Sequence, residues 1–171
     1  MTKIAYLIAH KNFRDEEYFI PKLLFESSGY QVDTYSDQEG QVIGSEGGDV
    51  MAENLNDIKV NEYKAVIVAG GGGALKYLDN EKVYSLLNEF EDKKKIIASI
   101  CISPVVLARA GILKGRKATV WHSAMDKSAI KILEKEKVEY LDEDVVCDGR
   151  IITANGPEAA EKFARRVIEN L

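Results

Sequence analysis

"IIASICISPVVLARAG", residues 96 to 111, decides how this chain folds. Its first six residues are uncharged and of strand length, the pattern of a strand covered on both faces. Ser103 and Pro104 then interrupt the run. Serine is a favoured N-cap and proline suits the first helical position, so the strand is expected to pass directly into a helix that Gly111 closes. Cys101, one of two cysteines, falls at the junction.

The rest of the chain repeats this alternation. "KIAYLIA" (3–9) and the start of "KAVIVAGGGGALKYL" (64–78) read as two more buried strands, the second emptying into four glycines. Helical spacing runs through "DEEYFIPKLLFESSGY" (15–30), "NEKVYSLLNEFEDKKK" (80–95), "DKSAIKILEKEKV" (126–138) and "GPEAAEKFARRVIENL" (156–171). Pro21 lies inside the first of these and should bend it, because proline gives the Glu17 carbonyl no N–H. "QVDTYS" (31–36) alternates as a strand, and the Gly-rich residues 40–58 suggest a hairpin. "KATVWHSA" (117–124) reads as a short strand, and "DVVCDGRIITA" (144–154) as two strands joined at Asp148-Gly149. These elements predict one α/β domain over residues 1–171, a sandwich around a mainly parallel sheet.

Composition narrows the function. Acidic residues outnumber basic ones 28 to 23 and the basic residues are scattered, which argues against nucleic acid as a partner. The first residues lack a signal peptide's apolar core, and no run reaches the ~18 apolar residues of a membrane helix. Two cysteines 46 residues apart, without neighbouring histidines at ligand spacing, suit a reducing cytosol and predict neither a disulfide scaffold nor a metal site.

In an open parallel sheet, ligands gather where strands end. Glu17, the Gly70–Gly73 loop and Cys101 all follow buried strands. A cysteine at a helix N-terminus is expected to have a lowered pKa, as a nucleophile or an oxidation sensor; the alternative is a small buried apolar side chain. The glycines can present backbone N–H groups to an oxyanion. A dinucleotide loop is disfavoured, because Leu75 stands where a third glycine would fall and no Gly-Lys-Ser/Thr follows. Glu17 is either a partner of the helix dipole or a buried carboxyl with a raised pKa. His122 reaches the same rim or lies on the surface, and His10 is a weaker candidate. Cys147, beside a hairpin, reads as structural.

Four segments, "FRDEEYFIP", "AVIVAGGGG", "IASICISPVVLARAGILKGRKAT" and "VVCDGRIITANGP", resemble the DJ-1/PfpI superfamily over nearly the whole chain. The resemblance implies a flavodoxin-like three-layer sandwich in which a nucleophile elbow carries Cys101 and a first-helix glutamate, Glu17, touches the sulfur. It also implies oxyanion donors at the N–H groups of Gly71 and Ile102, and no cofactor. One departure concerns the base. PfpI-like members have a histidine directly after the cysteine, where this chain has Ile102. Members resembling DJ-1 itself have one at the end of the following strand, where ungapped counting gives Trp121; a one-residue bulge would bring in His122 instead.

The resulting expectation is a cytosolic cysteine enzyme acting on small reactive carbonyls without a cofactor. Glyoxalase or deglycase chemistry would use Cys101, Glu17 and His122. The alternatives are a redox sensor acting through Cys101 and a PfpI-like peptidase, and the resemblance implies a homodimer or larger homo-oligomer.

Overall fold

The computed structural model describes residues 1–171. In chain order it runs β1 (Lys3–Ile8), β2 (Lys11–Phe13), α1 (Asp15–Ser27), β3 (Gln31–Ser36), β4 (Gly40–Gly44), β5 (Asp49–Asn54) and β6 (Ala65–Val68). There follow α2 (Ala74–Tyr77), α3 (Glu81–Asp92), β7 (Ile96–Ile100), α4 (Pro104–Arg109), β8 (Lys117–Ala118) and α5 (Ser128–Lys135). The chain closes with β9 (Glu139–Tyr140), β10 (Val145–Asp148), β11 (Ile151–Ala154) and α6 (Ala160–Ile168).

Nine strands form one sheet in the order β10-β11-β7-β6-β1-β3-β5-β4-β2, whose centre from β11 to β3 is parallel. Alternate residues of each central strand feed two cores. Ala5, Leu7, Val66, Val68 and Ile97 pack toward α3, α4 and α5. Ile4, Tyr6, Ile8, Ile67 and Ala98 pack toward α1 and α6. The chain therefore has the flavodoxin-like sandwich, and the ends of β1, β6 and β7 meet at one rim.

Several local expectations change. Helix α1 runs unbroken through Pro21, and the Glu17 carbonyl that proline leaves free accepts from the buried Tyr6 hydroxyl. The strand expected over 117–124 shortens to β8, because Thr119 leaves the ladder to donate its N–H to Thr153 Oγ1 at 3.0 Å. The two-residue turn joining β10 to β11 is Gly149-Arg150 rather than Asp148-Gly149, since Asp148 still pairs with Ile151. Gly149 takes the positive φ of +61°. The Gly-rich excursion is the β4–β5 hairpin, whose tip is tied to α1: Asp15 accepts the N–H groups of Glu46 and Gly48 at 2.8 and 2.7 Å.

Candidate active site

Strand β7 carries the chain through the core and releases it at Cys101, whose φ of +64° lies in the left-handed region. That conformation costs a non-glycine residue about 1–3 kcal/mol and persists only where its surroundings over-determine it. Here the Cys101 N–H donates to Ala154 O at 2.9 Å, and the Cys101 carbonyl accepts from Trp121 N–H at 2.8 Å. Ser103 contributes differently from the expected cap. Its backbone is already helical, and its Oγ donates to Ala69 O at 2.5 Å, clamping the elbow to the end of β6.

The glycine loop fits only without side chains. A Cβ on Gly70 would lie 2.5 Å from Glu17 Oε2 and 2.6 Å from Cys101 Cβ, and Gly71 (φ +102°) sits against the Arg14 backbone. This close approach brings the backbone N–H groups of Gly71 and Ile102 near enough to the sulfur to favour its thiolate.

Glu17 is fully buried. Its Oε2 accepts the Gly70 N–H at 2.9 Å, Oε1 is sealed from solvent without a hydrogen-bond partner, and the carboxyl lies against the Cys101 side chain. Burial raises the carboxyl from 4.5 to about 7, against the opposing pull of Cys101 and the Gly70 N–H. The thiol is raised as well, by burial first and then by the negative charge of Glu17, with the Gly71 and Ile102 N–H groups opposing.

This corrects the expectation that Cys101, at a helix N-terminus, has a lowered pKa. Helix α4 has only six residues, and desolvation outweighs its dipole. Two acids in contact cannot both ionise cheaply, so near neutral pH the pair keeps at least one proton. With a proton on the Glu17 carboxyl, that group can donate to the sulfur alongside the Gly71 and Ile102 N–H groups. Thiolate accepts such bonds far better than thiol, so the arrangement makes a nucleophile without a basic residue.

The structure brings Cys101, Glu17, Gly71 and Ile102 together and leaves His122 out. No bulge occurs before it. Trp121 faces the cavity, while His122 turns to Tyr140, with Nδ1 3.3 Å from the hydroxyl, and to Asp142, with Nε2 3.7 Å from Oδ1. His10 is committed to Asp37, with Nδ1 to Oδ2 at 2.6 Å, and packs on Tyr77. Cys147 lies partly exposed on β10.

Above the sulfur opens a cavity of about 630 Å³. Its walls include the apolar Trp121, Leu75, Ile102 and Pro157 and the polar Arg14, paired through Nε to Glu16 at 2.8 Å, and Ser45 of the β4–β5 tip. Sequence reasoning passed over these walls. Trp121 was visible only as a missing histidine, and Arg14 and Ser45 carry no motif, because their roles come from loops that meet in space.

Comparison with known proteins agrees with this fold. The sequence profile described as the DJ-1/PfpI family matches residues 2–170. An uncharacterized protein of Methanocaldococcus jannaschii is 43% identical over 170 residues, covering 98% of this chain and 82% of that protein. A Pyrococcus horikoshii protein named as a deglycase is 30% identical, with 99% of each chain covered. The crystal structure of a ThiJ/PfpI domain protein from Brachyspira murdochii superposes with a TM-score of 0.91 at 32% identity, covering 99% of this chain and 97% of that one.

Proposed function

This chain belongs to the DJ-1/PfpI family, and from that premise we propose that it is a cysteine-dependent enzyme that converts small reactive carbonyl compounds without a cofactor. The observation that carries the proposal is the fully buried Glu17 carboxyl set against Cys101 at a left-handed elbow, beside the glycine loop that ends β6. The deglycase name of the Pyrococcus horikoshii relative supports the same substrate class.

On a 2-oxoaldehyde, Cys101 sulfur adds to the aldehyde carbon, and the new alkoxide is stabilised by the Gly71 and Ile102 N–H groups before a proton makes the hemithioacetal. Glu17, having given up its proton, removes the hydrogen from that carbon and returns it to the neighbouring carbon. The former aldehyde carbon is thereby oxidised to a thioester and the ketone carbon reduced to an alcohol, an internal exchange needing no outside oxidant. Water then cleaves the thioester to a 2-hydroxy acid and restores the thiol.

Incubation with methylglyoxal, followed by lactate detection, tests the reading. Wild-type protein should form lactate, Cys101→Ala and Glu17→Gln should not, and a wild-type protein as inert as both variants rejects the proposal.

Peptidase activity is disfavoured because neither Ile102 nor Trp121 can protonate a leaving amine. A redox reading is favoured by the orphaned Glu17 Oε1: a sulfinate on Cys101 would accept its proton. Selective addition of two oxygens at Cys101 by mild peroxide, seen by mass spectrometry, tests that reading. The proposal places the protein in the cytosol, where both free thiols persist; no helix is long and apolar enough to cross a membrane. It also includes a homodimer, because α1 exposes Phe19, Ile20 and Leu23, and Phe19 lines a groove with exposed Met51 that carries both Lys22 and Glu53. An apolar face bordered by both charges is complementary to a second copy of itself across a two-fold axis.

A further inference from the structure

The cavity over Cys101 is far larger than a three-carbon aldehyde requires. At about 630 Å³ it belongs with pockets that enclose ligands of drug size, roughly 300–1,000 Å³. Its walls are unequal. Trp121, Leu75, Ile102 and Pro157 supply the apolar lining, with Ile102 next to Cys101 in the chain and Trp121 hydrogen-bonded to the Cys101 backbone.

Trp121 is held in place by its own backbone, whose N–H is bound to the Cys101 carbonyl at 2.8 Å. Gly156 leaves room beside the ring, since even a Cβ there would stay 3.6 Å from Trp121 Cδ1. An aromatic face thus stands at a fixed place next to the nucleophile, only partly buried by the protein itself.

We infer that the substrates of this site carry a planar aromatic or comparably bulky apolar group on the carbonyl, that this group stacks on Trp121 against Leu75 and Pro157, and that Trp121 is the specificity-determining residue. The inference rests on the carbonyl reading above and names its substrate class. A tryptophan face offers a ring both a large apolar area and offset or edge-on stacking, and such pairs contribute beyond the area they bury. Ser45 and Arg14 supply polar lining to the same cavity, the Arg14 charge being already met by Glu16.

The test compares kcat/KM for phenylglyoxal and methylglyoxal. Wild-type protein should prefer phenylglyoxal, and Trp121→Ala should lower the preference about tenfold, the equivalent of about 1.4 kcal/mol. Trp121→Phe should keep most of it. If Trp121→Ala does not fold, Leu75→Ala on the same wall should lower the ratio in the same direction. A second measurement needs no turnover: alkylation of Cys101 by iodoacetamide and by its N-phenyl analogue, each rate divided by that of glutathione. Faster labelling by the phenyl reagent that depends on Trp121 supports the inference even if neither glyoxal is consumed, in which case only the carbonyl chemistry fails. Turnover or labelling with the same selectivity in wild type and Trp121→Ala overturns it.

Discussion

Replacing Glu17 by glutamine should remove a pH dependence from the stability of the whole fold. Glutamine has the shape of the protonated carboxyl and can still accept the Gly70 N–H, so the packing around position 17 is retained. In the wild type, burial raises the carboxyl from 4.5 to about 7. The folded protein therefore keeps a proton over this interval that the unfolded chain has released, and its stability falls as pH rises. At 1.36 kcal/mol per pH unit, the loss approaches about 3 kcal/mol once pH exceeds the folded value. Urea unfolding measured by circular dichroism from pH 4.5 to 8 reads the effect directly. The wild type should weaken progressively against Glu17→Gln, with the difference levelling off above pH 7 to 8. Parallel curves over that range would mean that Glu17 ionises as an ordinary surface carboxylate, and the account of a protonated Glu17 beside Cys101 would go with it.

Tyr6→Phe removes the only donor to the Glu17 carbonyl that Pro21 leaves free, and an unsatisfied buried carbonyl should cost about 1–3 kcal/mol in chemical denaturation while slowing Cys101 alkylation. Gly70→Ala forces a methyl group to within 2.6 Å of both Glu17 and Cys101, so the protein should lose lactate formation and melt several degrees lower. Ser103→Ala frees the elbow from Ala69 and should cost about 1 kcal/mol or more, read as a lower thermal midpoint. Leu23→Glu combined with Met51→Glu puts charge on side chains 67% and 73% exposed, and sedimentation velocity should show a shift from dimer to monomer at unchanged secondary structure.

The amino-acid pattern by itself determined the alternation of buried strands and helices, the elbow at Cys101 and the glycine loop beside it. Uncharged strand-length runs, proline at a first helical position and consecutive glycines act through local sterics and burial, which need no knowledge of the partner segment. Glu17 was legible as a candidate because it follows the first buried strand, where the sheet's ends gather ligands. Only the tertiary structure decided which side chain follows the elbow into the cavity. Both Trp121 and His122 were possible until Thr119 bound Thr153 and Trp121 bound Cys101, because a one-residue difference in register exchanges the faces of a strand. The protonation of Cys101 likewise depends on charge and desolvation between residues 84 positions apart in the chain, where only the folded distance sets the energy.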